Sequence, residues 1–158
     1  MQIKDSLLEA FAYNDFANKK ILGKIFLLPD QSGCIRFFSH LINSQYKWMA
    51  RIKQNLLAQE MSWWDPIYSF EQLEAEWTLS LEPWLLFIRQ SSEDELDREV
   101  MFTGFDNGIW AATPRDIAIQ LNYHSVHHRA QMQTIIRQQG LEPDFLDYIG
   151  TKYKRISD

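Results

Sequence analysis

The chain has 158 residues, 46% of them hydrophobic and 14% aromatic, which is enough apolar material for one ordinary core and too little for two. Its formal net charge of −5 argues against nucleic acid and anionic lipid as partners, because both are bound by basic surfaces. A single cysteine, Cys34, excludes an internal disulfide and fits a reducing compartment.

The amino-terminal residues lack the apolar segment of a signal peptide, and no apolar run approaches the roughly 20 residues that span a bilayer. The sequence therefore predicts a cytoplasmic protein that does not associate with membranes. No repeat, low-complexity segment or linker divides the chain, so we expect one domain over residues 1–158.

Hydrophobic residues recur at helical spacing in four long segments, which predicts four helices. We expect the first helix over residues 3–27, because the sequence that begins at Pro29 interrupts its pattern. We expect the second helix over residues 32–57. Cys34 falls within this second helix, where it is expected to be a small buried hydrophobic residue.

The third helix is expected over residues 69–90, where Ser69 and Gln72 have the spacing of a capping box. Pro83 lies within this run and is expected to kink or divide the helix. Two tryptophans precede the helix in a loop at residues 63–66. That loop fits a lid over a pocket or a contact surface, but the simpler expectation is that its tryptophans cover the end of a helical bundle.

Residues 99–110 have a different pattern, with β-branched and aromatic residues on both sides of Asp106, Asn107 and Gly108. Such a turn sequence between strand-forming residues predicts a short β-hairpin.

The last helix is expected to begin after Thr113, a good N-cap residue, with Pro114 in its first position. It should end at Gly140, because glycine favours the position that follows a helix. Four helices with a hairpin before the last one predict an all-α fold, a four-helix bundle. Bundles of this kind form cofactor sites from side chains on facing helices.

Three of the four histidines lie within residues 123–129, on the last predicted helix. His124 and His128 are one turn apart on a face that also carries apolar residues and should point into the core. Two imidazoles buried side by side leave ring nitrogens without partners, and a shared divalent cation satisfies both. The alternative is two core histidines that are hydrogen-bonded to neighbouring carbonyls or carboxylates. His127 lies at the margin of this face, and we expect it at the surface or supporting a ligand.

The fourth histidine, His40, lies beyond the edge of the apolar face of the second helix. A lone histidine in such a position is usually solvated. The residues alone therefore leave His40 open between a surface position and a third ligand. They argue against a carboxylate-rich metal site, because the chain has neither a Glu-x-x-His nor a His-Glu-x-x-His sequence.

Three segments together resemble the DinB/YfiT-like family of metalloenzymes, which is distinct from the DNA polymerase of similar name. They are residues 13–18 (Tyr-Asn-Asp-Phe-Ala-Asn), residues 38–43 (Phe-Ser-His-Leu-Ile-Asn) followed by Trp48, and residues 122–131 (Asn-Tyr-His-Ser-Val-His-His-Arg-Ala-Gln). Ala130 departs from the glycine common in the last motif, which is a change between small residues. The resemblance implies that His40, His124 and His128 form a metal triad. It also implies an up-down-down-up bundle that is frequently a homodimer.

Family members of this kind include metal-dependent hydrolases and transferases that act on a low-molecular-weight thiol such as bacillithiol. Three imidazoles suit Zn, Ni or Fe and leave coordination positions open for a substrate or water. We favour a thiol-dependent S-transferase with a small-molecule substrate, because no Glu or Asp lies beside the triad in sequence as a general base. A hydrolase that uses a carboxylate such as Asp15 or Asp144 is one alternative. A non-catalytic metal-binding or interaction module is another.

Overall fold

Five helices and one hairpin follow in chain order in the computed structural model, which describes residues 3–157. The predicted domain of residues 1–158 thus begins and ends outside the described residues. Within them, no helix is long and apolar enough to cross a membrane. The elements are α1 (Ile3–Phe26), α2 (Ser32–Ile52), α3 (Phe70–Gln90), α4 (Glu93–Asp97), β1 (Val100–Thr103), β2 (Ile109–Ala112) and α5 (Pro114–Gln138), with 3₁₀ turns at Leu56–Gln59 and Tyr148–Thr151.

The four long helices form one bundle in which α1 and α2 each lie between α3 and α5. Contacts advance in the same direction along α1 and α5, and along α2 and α3, so each of these pairs is parallel. Contacts run in opposite directions along α1 and α3. The bundle is therefore up-down-down-up, as predicted. The contacts that fix these directions are Asn14–Asn122 and Asn18–Ser125 between α1 and α5, Phe38–Trp77 and Gln45–Trp84 between α2 and α3, and Phe11–Trp84 and Phe26–Phe70 between α1 and α3.

The second helix ends at Ile52 rather than at the predicted residue 57. Gln54 takes a left-handed conformation with φ of 55°, and the N–H of Asn55 donates back to the carbonyl of Ala50. This pattern is a Schellman motif, which ends a helix by satisfying its last carbonyls. The motif usually contains glycine, so the glutamine here gave no signal in the sequence. At the end of α5 the same motif has the predicted Gly140, with φ of 86°.

Capping side chains fix where the other helices begin. The Thr113 hydroxyl accepts the N–H of Asp116 at the start of α5, and the Gln72 side chain accepts the N–H of Ser69 at the start of α3, both as predicted. Pro83 does not divide α3, which continues to Gln90. The short α4 was not predicted, although Ser92 and Glu95 form a capping box at its start.

The predicted hairpin is confirmed, with β1 paired antiparallel to β2 and Val100 opposite Ala112. It extends two residues further toward α5 than the predicted range of 99–110. Asn107, in the turn, has a positive φ of 60°, which the Asn-Gly sequence accommodates readily.

The core lies between the four long helices and includes Phe38, Trp77 and Trp84, all almost fully buried. Burying side chains of this size stabilises the fold by roughly 1.5–3 kcal/mol each. Cys34 is also completely buried, which confirms its predicted structural role. Burial, with a smaller effect from Asp30, raises the pKa of its thiol to about 11.

A connector of residues 53–69 joins α2 to α3. Because these helices are parallel, the connector must return along the bundle, and it does so beside α2. The N–H of Tyr68 donates to the Ser39 hydroxyl, and the Asn43 side chain donates to the carbonyl of Pro66. The expectation that the loop tryptophans cover the end of the bundle is therefore wrong, since the loop lies against the middle of α2.

Candidate metal centre

Three imidazole rings meet between α2 and α5. The Nε2 atom of His124 lies 3.0 Å from Nε2 of His40 and 2.9 Å from Nε2 of His128. The candidate ligand atoms of the three histidines all lie within 4.8 Å of one another. His40 and His128 are buried, and His124 is partly buried. The structure thus brings together the three histidines that the family resemblance implies, in an arrangement that could hold one metal ion.

The outer nitrogens of two rings are hydrogen-bonded away from the centre. Nδ1 of His40 lies 2.7 Å from the carbonyl oxygen of Trp63, and Nδ1 of His128 lies 2.6 Å from Oε1 of Gln131. A carbonyl oxygen only accepts, so each Nδ1 carries the proton in a neutral ring. Each Nε2 is then a bare lone pair that faces the centre.

Hydrogen bonds among the rings cannot satisfy these lone pairs. If His124 is neutral, its Nε2 donates at most one proton, and both His40 and His128 need one. A divalent cation takes a lone pair from every ring at once, and imidazole is among its common ligands. The donor set therefore fits a metal ion better than it fits three histidines that bond only to each other.

All three rings resist protonation. Burial, with smaller effects from the neighbouring His128 and His40, lowers the pKa of His124 to about 3. Burial also lowers the pKa of His40 and of His128. The imidazoles are consequently neutral near pH 7, the form that binds metal.

Two aromatic rings stack on histidines of the centre, one from the connector and one from α2. Trp64 stacks on His40 with ring centroids 3.9 Å apart, and Phe37 stacks on His128 at 5.2 Å. The guanidinium of Arg36 lies over the Trp64 ring, 5.1 Å from its centre. Among the described residues, no aspartate or glutamate joins the three histidines as a potential ligand.

The two carboxylates considered as distant general bases have other partners. Asp15 accepts a hydrogen bond from the indole N–H of Trp77 and pairs with Lys19. Asp144 lies 3.8 Å from the ammonium group of Lys24. Neither carboxylate is hydrogen-bonded to a histidine of the triad within residues 3–157.

A buried arginine fixes α5 beside the triad. The guanidinium of Arg129 donates to the side-chain oxygens of Asn14 and Asn18 at 2.9 and 2.8 Å, and to the hydroxyl of Tyr13 at 3.1 Å. Arg129 is 2% exposed. The motifs of the first and last long helices therefore meet in one polar network, which sets the rotation of the helix that carries His128.

Sequence reasoning missed two supports of the centre. Gln131 lies three residues after His128, within the quoted motif, so its position could have suggested contact with that histidine. The carbonyl of Trp63 gives no sequence signal, because any residue has one. His127 is exposed and lies outside the triad, as expected.

Comparison with known protein families identifies the group to which the chain is related. Residues 34–157 match the model of the DinB family, a range that contains all three histidines and leaves out the whole of α1. No curated protein and no solved structure matches the chain. Because the family model covers well over half of the 158 residues, the chain belongs to the DinB family.

Proposed function

We propose that the chain is a metal-dependent S-transferase, in which a divalent ion on His40, His124 and His128 activates a low-molecular-weight thiol toward a small electrophile. The observation that carries this proposal is the meeting of three neutral imidazole nitrogens without any carboxylate among them. Zn, Ni and Fe all suit such ligands. When bound, the ion supplies Lewis acidity that lowers the pKa of a thiol or water in an open position.

The residues around the triad favour a thiol over water. Because the three ligands are neutral, the chain adds no negative charge there, and a bound cation would stabilise an anionic thiolate or a hydroxide alike. The preference for a thiol therefore rests on the groups around the ligands. Phe37 and Trp64 offer apolar surface to an electrophile beside the triad. Asp15 and Asp144, the distant carboxylates that a hydrolase might use as a base, are bonded elsewhere.

The family resemblance also leads us to propose a homodimer. Exposed apolar side chains on two neighbouring helices support this, with Phe16 on α1 and Tyr123 and Val126 on α5. Sedimentation equilibrium tests the proposal, because a monomer at micromolar concentration would contradict it.

The test of the S-transferase uses protein loaded with Co(II). Addition of a small thiol should produce a sulfur-to-cobalt charge-transfer band, and a haloalkane should then be consumed faster than with thiol alone. In that reaction sulfur bonds to carbon, the halide leaves with the bonding electrons, and the thiol proton goes to solvent. The His124→Ala/His128→Ala variant is the control and should give neither signal.

Two outcomes reject the S-transferase. If no band appears and an ester is hydrolysed at a rate that rises with a pKa near 7, the site activates water. If neither reaction occurs over a broad panel of electrophiles and esters, the chain is a metal-binding or interaction module without catalysis.

A further inference from the structure

A cavity of about 480 Å³ lies beyond the triad, between the carboxyl-terminal half of α2, the connector and the hairpin. Its size is in the range of small-molecule sites. No histidine lines it. Its lining includes Lys47, Arg51, Trp48, Trp63, Phe102 and Trp110.

Two buried cations form one wall of this cavity. Lys47 and Arg51 are one turn apart on α2, and their exposed fractions are 6% and 9%. The Lys47 ammonium donates to the carbonyls of Gln59 and Met61, and Nη2 of Arg51 donates to the carbonyl of Thr103 at 3.0 Å. Within residues 3–157, neither cation pairs with a carboxylate.

Unpaired buried charge of one sign is costly in a protein interior. Burial and the neighbouring Arg51 lower the pKa of Lys47, which reflects this cost. Neutral carbonyls compensate it only in part. The Nε and Nη1 atoms of Arg51 have no hydrogen-bond partner in the described chain, so donors remain for an anion that enters the cavity.

Aromatic rings surround these donors. The guanidinium of Arg51 lies 4.6 Å from the ring centre of Trp48, 5.1 Å from that of Trp63 and 4.5 Å from that of Phe102. Trp110 and Phe105 of the hairpin contribute stacked rings to the remaining wall. A ligand that fits both features has a negative group and a flat apolar body.

We propose that this cavity binds a small aromatic carboxylate, with its carboxylate on Arg51 and Lys47 and its ring among the tryptophans. The planar fork of Arg51 matches a carboxylate, which can accept two parallel hydrogen bonds. The cavity also adjoins the triad, since Trp63 belongs to its wall and accepts the hydrogen bond of His40. The proposal does not depend on metal at the triad.

Isothermal titration calorimetry with phenylacetate tests the site at low salt. The His124→Ala/His128→Ala protein is used beside the parent, so that binding of a carboxylate to a metal ion is excluded. Phenylacetate should bind both proteins equally. It should bind more tightly than acetate, which lacks the ring, and than benzyl alcohol, which lacks the charge, by about tenfold or more each. Phenethylamine, with the opposite charge, should not bind.

Variants locate the binding. Lys47→Met should weaken phenylacetate binding by about tenfold, while Lys53→Met, at an exposed position beyond the end of the same helix, should not. If the Lys47 variant does not fold, Phe105→Ala tests the site in its place, because Phe105 is 96% exposed and its loss leaves the core intact. This variant should weaken phenylacetate binding several-fold.

The proposal is overturned if benzyl alcohol binds as tightly as phenylacetate, or if phenylacetate at millimolar concentration gives no heat. It is also overturned if both the Lys47 and Phe105 variants bind like the parent. In each case Lys47 and Arg51 would only hold the connector and the hairpin against α2.

Discussion

The Nδ1 atom of His40 lies 2.7 Å from the carbonyl oxygen of Trp63, so the connector orients a ring of the candidate metal centre through its backbone. This contact fixes the tautomer in which Nε2 of His40 faces the other two histidines. A site that depends on such a contact is built by α2, α5 and the connector together. Mutations in the loop can therefore alter metal binding without changing a ligand.

We predict close to one divalent ion per chain in protein purified without a His-tag or chelator. The His124→Ala/His128→Ala variant should contain none, because the remaining imidazole cannot hold an ion alone. Elemental analysis measures the metal content of the parent and of the double variant. The control is His127, the exposed residue next to His128 in sequence. The His127→Ala variant should contain as much metal as the parent. A double variant with the metal content of the parent would disprove the site.

Metal should also stabilise the fold, because an ion that binds only the native state shifts the unfolding equilibrium. At a free concentration one hundred times its Kd, the stabilisation is about 2.7 kcal/mol. Thermal unfolding with and without a chelator measures it for the parent. A melting temperature that a chelator leaves unchanged would show that no such ion was bound.

For His40→Ala we expect metal affinity to fall by about tenfold or more, with helical circular dichroism unchanged. The truncation removes the stacking contact with Trp64 and leaves the large core side chains Phe38, Trp77 and Trp84 in place, so the fold should survive. Competition with a metallochromic indicator gives the affinity. Equal affinity in parent and variant would return His40 to the role of an ordinary buried histidine.

Gln131→Leu tests whether the side-chain oxygen on Nδ1 of His128 matters for metal binding. Losing this hydrogen bond frees the tautomer and orientation of the ring, and such losses typically weaken binding by about 10–100-fold. Gln138→Leu, at an exposed position of the same helix, is the matched control. If both variants bind metal like the parent, Gln131 does not support the ligand.

The metal-free protein should lose stability as the pH falls below about 6.5. Free imidazoles titrate near 6.5, whereas the pKa of folded His124 is about 3. Between these values the unfolded chain binds more protons, so the free energy of unfolding falls with falling pH. His124→Asn should reduce the difference between the urea midpoints at pH 7 and pH 5. An unchanged difference would contradict the lowered pKa.

Arg129→Leu should destabilise the fold by about 3–5 kcal/mol, because it leaves Asn14, Asn18 and Tyr13 without their shared donor in a buried network. Urea unfolding measures this loss. Arg137→Leu removes an exposed arginine of the same helix that pairs with Glu142, and it should change stability by no more than about 0.5 kcal/mol. Similar losses in both variants would argue against the network.

The helices and part of the centre could be predicted from local sequence because their signals are local. Spacing of apolar residues defined the bundle, and Thr113 and Gly140 marked the ends of α5. His124 and His128 needed only the geometry of one helical turn. These features depend on neighbours within a few positions of the chain.

Features that depend on distant segments could not be predicted in this way. His40 lies outside the apolar face of α2 and is nevertheless buried, because the connector returns over it. The family resemblance included His40, but periodicity did not. The end of α2 was also misplaced, since Gln54 takes a conformation that glutamine rarely adopts. The supporting carbonyl of Trp63 depends on the path of the backbone alone.

The burial of Cys34 has a practical consequence for assays of the proposed thiol-dependent S-transferase activity. The only sulfhydryl of the chain is 0% exposed, and with a pKa of about 11 it stays protonated at neutral pH. Alkylating and disulfide reagents act on accessible thiolates, so they will not detect it while the protein is folded. A reagent that reports free sulfhydryls will thus follow the consumption of an added thiol without background from the folded protein, and its reaction with Cys34 will report unfolding.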